Sequence, residues 1–135
     1  MSTEAEMILR ILFAAVMGAV IGLQRELAGK PAGLRTHALI CMGAALFTVV
    51  SIEGFEKADL VDASRVAAGV VAGIGFLGAG TIIHGERGSV AGLTTAASIW
   101  TIAAIGLAAG AGLYLIAGAS AVMIALMLAI PKIND

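Results

Sequence analysis

Residues Arg65 to Trp100 read RVAAGVVAGIGFLGAGTIIHGERGSVAGLTTAASIW, and this stretch decides the fold of the chain. Between Arg65 and His84, 18 consecutive residues carry no ionisable group. A helix needs roughly 20 apolar residues to cross the hydrocarbon core of a bilayer. A chain of 135 residues has too little bulk to bury several such helices in a soluble core. The stretch therefore predicts membrane helices.

The composition of the whole chain supports this prediction. Hydrophobic residues make up 60 % and charged residues 13 %, whereas a soluble domain carries about 25 % charged residues. The net charge of −1 argues against nucleic-acid binding, which needs a basic surface. The acidic start, Met1 to Glu6, is unlike the basic start of a signal peptide, so we expect the first apolar run to stay as a membrane anchor. The single cysteine, Cys41, is expected to be a buried apolar residue.

Charges and helix breakers divide the chain into spans. The 44 residues from Gly88 to Pro131 carry no charge, which is too long for one span and suits two with a turn at Gly110–Gly112. We therefore predict an all-α integral membrane protein with a single domain, residues 1–135, and about five transmembrane helices. The predicted spans cover residues 7–24, 36–52, 66–83, 93–109 and 113–130.

Basic residues predict the orientation. One side of the membrane would hold five of them: Arg25, Lys30, Arg35, Arg87 and Lys132. The other side would hold three: Arg10, Lys57 and Arg65. Because loops rich in Lys and Arg stay in the cytoplasm, we expect the N-terminus outside and the C-terminus in the cytoplasm.

An internal repeat accompanies these spans. Residues 32–38 read AGLRTHA and residues 91–97 read AGLTTAA, an offset of 59. Each copy joins a predicted cytoplasmic loop to the span that follows. Spans one and two therefore resemble spans three and four as parallel repeats, and the fifth span has no counterpart. Chance similarity between alanine-rich segments is the alternative.

Glycine spacing suggests how the helices pack. Residues 73–78, GIGFLG, match the dinucleotide-binding pattern GxGxxG, but they lie inside an apolar run without the strand and acidic residue that such a site requires. We reject a cofactor site there. The glycines of this run are expected to let helices pack closely, and the alternative is a broken helix that exposes carbonyl groups. Gly18 and Gly22 form a GxxxG pair of the same kind, unless they only reflect how common glycine is in membrane helices.

Few residues suggest a metal-binding site. His37 and His84 have no ligand partner at a metal-binding spacing, so no zinc site is expected. Four carboxylates, Glu53, Glu56, Asp59 and Asp62, could attract a divalent cation, although a solvated acidic loop is the simpler interpretation. Asp62 is the candidate metal ligand, as a place where Mg²⁺ could bind or enter, but Asp62 and Ser64 are also well placed to cap the third helix.

Absent residue types narrow the function. No Asp, Glu or Lys falls in the middle of a predicted span, where ion-coupled pumps usually place one. No catalytic arrangement can be assembled, so we expect neither an enzyme nor a cofactor. A pore lined by backbone carbonyls and hydroxyls stays open as an alternative; its hydroxyls would come from Thr81, Thr94, Thr95, Ser98 and Thr101.

Four motifs in this order resemble the MgtC/SapB family of membrane proteins. They are Arg25-Glu26 with Ala32–His37, Asp62–Arg65, Gly73–Gly80, and Gly92–Ala97 with Trp100, and the resemblance covers about residues 9–129. It implies a bacterial inner-membrane protein linked to magnesium limitation and, in pathogens, to survival inside macrophages. It also implies action on the rotary ATP synthase, rather than magnesium transport, for the best-known member. Longer members continue into a cytoplasmic C-terminal domain, and some carry Asn where Thr94 stands and Cys where Thr101 stands.

The resemblance also implies a set of functional or packing residues. Besides Asp62, these are Arg25, Glu26, Arg35, Thr36, Arg65, Gly75, Gly78, Gly80, Thr94, Thr95 and Trp100. One hypothesis is a non-enzymatic membrane regulator that forms a homo-oligomer or docks on another membrane complex, such as the rotary ATP synthase. The alternative is a transporter or channel for a divalent cation such as Mg²⁺, with Asp62 at its outer mouth and the Gly75–Gly80 backbone at its constriction.

Overall fold

The computed structural model describes residues 2–55 and 61–132. Its helices are α1 (Glu4–Leu27), α2 (Leu34–Val49), α3 (Ser64–Ala79), α4 (Leu93–Gly110) and α5 (Tyr114–Ala129). A π-helical turn, Val50–Gly54, continues α2. Two short antiparallel strands, β1 (Ile83–His84) and β2 (Val90–Ala91), flank a 3₁₀ turn, Glu86–Gly88. The predicted all-α membrane fold is confirmed.

The helices differ in length. Three helical segments of the described chain are long and apolar enough to cross a membrane: α1 with 24 residues, α2 with its π turn with 21, and α4 with 18. The helices α3 and α5 are also apolar, but they are shorter, with 16 residues each. At a rise of about 1.5 Å per residue, each is about 24 Å long. For these two helices, crossing of the bilayer stays a prediction.

The third span was predicted to extend from residue 66 to 83, and its end is wrong. Helix α3 ends at Ala79, and Ile83 lies in strand β1 rather than in a helix. The Thr81 amide and hydroxyl both donate to the Gly78 carbonyl oxygen, at 3.0 and 2.7 Å. This carbonyl of the last turn is therefore hydrogen-bonded although the helix does not continue. The segment that was expected to be a plain loop is therefore a short hairpin.

The internal repeat is present in the backbone. Helix α2 begins at Leu34 and α4 begins at Leu93, which are 59 positions apart and aligned in the repeat. Glycine precedes both helices, and the equivalent first-turn hydrogen bonds are His37 N–H to Gly33 O, 3.1 Å, and Ala96 N–H to Gly92 O, 2.9 Å. The AGL motif thus marks the same helix start twice.

Helix α2 meets two neighbours, α1 and α4, through their glycines. A Cβ on Gly18 of α1 would lie 2.8 Å from the Ala38 Cα, and one on Gly110 of α4 would lie 2.6 Å from the Ala45 carbonyl oxygen. Such contacts leave no room for a side chain, so the backbones of α1 and α4 both touch α2. Around them lies the main apolar core, which includes the fully buried Ile21, Cys41 and Ile102.

The glycines of α3 behave differently. Among the described residues, nothing lies within 4 Å of a Cβ built on Gly69, Gly73 or Gly75, so the close packing expected of this face is not made there. Gly78 of the same helix does face another helix, with a built Cβ 3.6 Å from the Ala96 carbonyl oxygen of α4. A built Cβ on Gly80 meets carbonyls of its own preceding turn.

A pair of alanine substitutions tests this difference. A methyl group on Gly106 of α4 would overlap the Cys41 carbonyl oxygen and lie 2.7 Å from the Ala44 Cβ, so Gly106→Ala should lower the free energy of unfolding by about 1–3 kcal/mol. Gly75→Ala of α3 enters open space, so it should raise that free energy by up to about 1 kcal/mol through a better helix propensity. Reversible unfolding by sodium dodecyl sulfate in mixed micelles measures both, and equal effects would contradict the packing described.

Candidate functional site

Four buried polar side chains form the candidate site at one end of the bundle. We call them the Arg25 cluster: Arg25 at 5 % exposure, His37 at 0 %, Thr95 at 3 % and Ser98 at 2 %. Arg25 belongs to the last turn of α1, and Thr95 to the first turn of α4. The cluster therefore joins three helix ends.

Arg25 connects α1 to α4. Its Nη2 donates a hydrogen bond to the Thr95 hydroxyl and another to the Pro31 carbonyl oxygen at 3.2 Å. The Nε of the same guanidinium is buried without a hydrogen-bond partner. Arg25 and Thr95 were both candidates from sequence, and the structure brings them together across 70 residues.

His37 connects α2 to α4 and was not among the candidate site residues. Its Nδ1 donates to the Gly33 carbonyl oxygen at 3.1 Å, and its Nε2 lies 3.0 Å from the Ser98 hydroxyl, which in turn donates to the Thr95 carbonyl oxygen at 2.8 Å. The His37 side chain is fully buried. Its place in the first turn after the AGL motif is the signal that could have revealed it.

A second cluster lies at the opposite end of α1. Arg10 lies in the N-terminal half of α1 and is only 9 % exposed. It donates to the Gly110 carbonyl oxygen at 3.2 Å and forms ion pairs with Glu6 at 3.5 Å and Glu53 at 3.7 Å. The two buried arginines of α1 thus differ, because carboxylates accompany Arg10 and not Arg25.

Asp62 lies immediately before Ala63, the N-cap residue of α3, so neither Asp62 nor Ser64 is the N-cap that was expected. The Oδ1 of Asp62 accepts the Ser64 amide at 3.0 Å and the Ser64 hydroxyl at 2.6 Å, at the start of α3. These two hydrogen bonds hold the pKa of Asp62 below its usual range, since they favour the charged form. Glu56 and Asp59 of the acidic loop lie outside the described residues. Among the described residues, no group of three or more His, Cys, Asp or Glu could hold a metal ion.

The other candidate residues do not converge. Six of them have exposed side chains and lie outside the Arg25 cluster: Glu26, Arg35, Thr36, Arg65, Thr94 and Trp100. Glu26 lies against the start of α2, with Oε1 3.0 Å from a Cβ built on Gly33. The structure thus places Gly75 in open space and Gly80 in the turn after α3, and it gathers only Arg25 and Thr95 into a buried site.

The family model for the MgtC family matches residues 11–134. The chain belongs to the MgtC family. The MgtC family model and the motif resemblance cover nearly the same part of the chain, so the resemblance inferred from the sequence is confirmed. No solved structure matches this member of the MgtC family.

Several curated relatives are similar to this MgtC-family chain. The putative magnesium transporter YhiD of Escherichia coli is 50 % identical over 117 residues, 82 % of this chain and 53 % of the relative. SapB of Bacillus subtilis is 40 % identical over 126 residues, 90 % of this chain and 54 % of the relative. MgtC of Salmonella typhimurium is 43 % identical over 117 residues, 87 % of this chain and 48 % of the relative. The chain spans about half the length of these relatives.

The repeat supplies a matched test of the Arg25 cluster. Thr95→Val removes the hydroxyl that accepts from Arg25 without changing side-chain shape, so it should lower the free energy of unfolding by about 1.5–3 kcal/mol. Thr36→Val changes the equivalent, exposed position of the first repeat and should stay within about 0.5 kcal/mol of the wild type. Both values follow from unfolding in mixed micelles, and a Thr95→Val variant as stable as Thr36→Val would show that the hydrogen bond contributes nothing.

Proposed function

We propose that this chain is a non-enzymatic regulator in the bacterial inner membrane that serves adaptation to low magnesium. Its N-terminus would lie outside and its C-terminus in the cytoplasm, as the basic loops suggest. Membership of the MgtC family and the magnesium-related names of relatives support the link to magnesium. It would act through helix–helix contacts, either as a homo-oligomer or on a membrane complex such as the rotary ATP synthase.

The chemistry of the buried polar groups carries this proposal. The described buried polar side chains are two guanidinium groups, one imidazole and three hydroxyls: Arg10, Arg25, His37, Ser51, Thr95 and Ser98. Magnesium prefers oxygen ligands, usually carboxylates and waters, and a guanidinium repels it. Such an interior favours a scaffold over a path for a divalent cation.

Four of the five hydroxyls that a carbonyl-and-hydroxyl pore would use are already engaged in hydrogen bonds. Thr81 donates to the Gly78 carbonyl oxygen at 2.7 Å and Thr101 to the Ala97 carbonyl oxygen at 3.0 Å, each within or next to its own helix. Ser98 and Thr95 belong to the Arg25 cluster. This use of hydroxyls is typical of helix packing in membranes rather than of a conduction path.

An apolar groove between α2 and α3 suits contact with another helix. It has a volume of about 650 Å³, and its lining includes Leu39, Gly43, Phe47, Gly69, Gly73 and Leu77. Two open glycines on α3 let a second backbone approach closely, as small residues do in membrane helix pairs. We propose that a second copy of the chain occupies this groove.

A transporter or channel for Mg²⁺ is the second candidate. The printed name of the relative from Escherichia coli, putative magnesium transporter, favours it, at 50 % identity. Asp62 would then stand at the outer mouth and attract the cation through its charged carboxylate, at the exposed start of α3.

A flux measurement separates the two functions. The purified chain in liposomes that enclose a magnesium-sensitive dye should pass no more Mg²⁺ than protein-free liposomes, because the interior presents cations and engaged hydroxyls. An ionophore control shows that the dye responds. Magnesium influx that Asp62→Asn reduces would establish the transporter and end the regulatory proposal.

The oligomer has its own test, by mass in lipid nanodiscs. The wild type should be a dimer or larger, and Gly73→Leu should leave a monomer, since the leucine fills the groove. Ala119→Leu, which places the same leucine side chain at an exposed position of α5, is the matched control. A monomeric wild type, or a Gly73→Leu variant of unchanged mass, would contradict self-association through the groove. Gly78→Leu is unsuitable because Gly78 packs on α4 within the chain.

A further inference from the structure

Arg25 is a buried cation without a counter-charge. It is 5 % exposed, and within residues 2–55 and 61–132 no carboxylate lies within 4.0 Å of its guanidinium. Arg10 shows the contrast within the same helix, since it is buried to a similar degree and has two carboxylates. Arginine is almost never fully buried unless it is paired, because an isolated buried charge is costly.

The surroundings of Arg25 add to the positive potential. Its Nη2 donates to the hydroxyl of Thr95, which lies in the first turn of α4, where the helix carries a partial positive charge. The cap of α4 is Gly92, which has no side chain to accept the free first-turn amides. The Nε of Arg25 has no partner either. Hydrogen-bond donors and positive charge therefore meet here, and no carboxylate of the described residues lies between them.

Glu26 does not supply the missing charge. Its Oε1 lies beside Gly33, where it faces the N-terminus of α2 and compensates that helix end. It forms no ion pair with Arg25. In the described part of the chain, no carboxylate compensates the charge of Arg25.

We propose that Arg25 and the first turn of α4 bind a phosphate group. An oxyanion there would accept hydrogen bonds from the guanidinium and from the free amides of α4, which is how helix N-termini and arginines bind phosphate elsewhere. The phosphate could belong to the headgroup of an anionic phospholipid, because Arg25 lies at an end of α1, or to free inorganic phosphate. The site goes beyond the proposed regulatory role and does not depend on it.

Thermal unfolding of the full chain in detergent tests the site. The probes are phosphatidylglycerol, phosphatidylcholine and inorganic phosphate, each titrated against the unfolding midpoint. Phosphatidylglycerol, or phosphate, should raise the midpoint of the wild type. Phosphatidylcholine should raise it much less, because its choline group brings a second positive charge next to Arg25. Arg25→Gln should weaken the apparent affinity about tenfold or more, as expected for the loss of a charged hydrogen-bond donor.

Lys30→Gln is the matched control, since it removes one positive charge from the exposed turn that follows α1. It should keep the affinity of the wild type. A response to phosphatidylglycerol alone assigns the site to a lipid headgroup, and a response to inorganic phosphate as well assigns it to free phosphate; both support the proposal. No response of the wild type, an Arg25→Gln variant that responds fully, or an equal loss in Lys30→Gln would overturn it.

If the Arg25→Gln variant does not fold, native mass spectrometry of the wild type tests the phosphate site instead. The chain released from mixed micelles should retain phosphatidylglycerol, or phosphate, in preference to phosphatidylcholine. Release of all three at the same collision energy would overturn the site without any variant.

Discussion

The packing of the whole bundle depends on glycines, which have no side chain, at the places where α1 and α4 meet α2. Gly18 of α1 and Gly106 of α4 approach the same residue of α2, Cys41, from two sides. Lipid tails are as apolar as the helices, so burial of apolar surface alone does not hold membrane helices together. Close backbone contact supplies the dispersion attraction instead. Helix α2 is consequently the element around which α1 and α4 are fixed.

The same constraint brings the polar groups together. A Cβ on Gly22 would lie 2.6 Å from the Gly33 carbonyl oxygen, so α1 can reach the start of α2 only because position 22 has no side chain. One turn later along α1 comes Arg25, which then meets Thr95 of α4. In the second repeat, Thr81 and Gly92 occupy the equivalent positions, and the Thr81 carbonyl oxygen touches the bare face of Gly92. The repeat thus preserves a contact as well as a motif.

The helices could be predicted from local sequence patterns, whereas the contacts between residues far apart in the sequence could not. Charge-free runs and the AGL motif suffice to identify five helices and the two glycine-led helix starts, because both signals are read within one turn or one run. The pairing of Arg10 with Gly110 spans 100 residues, and that of His37 with Ser98 spans 61, so neither follows from local spacing. The partner of the glycine face of α3 does not follow from local spacing either. Glycine permits a close approach but does not say which helix arrives, and Gly106 and Gly110, with the spacing of Gly18 and Gly22, make the contact instead.

The unequal helix lengths have a consequence for the surrounding lipid. Helix α1 has 24 residues and α3 has 16, which correspond to about 36 and 24 Å. As a transmembrane helix, α3 would fall short of a hydrocarbon core of about 30 Å, and the bilayer would have to become thinner beside it. One flank of the molecule would therefore deform the membrane, and bilayers of different thickness would favour different tilts of the bundle.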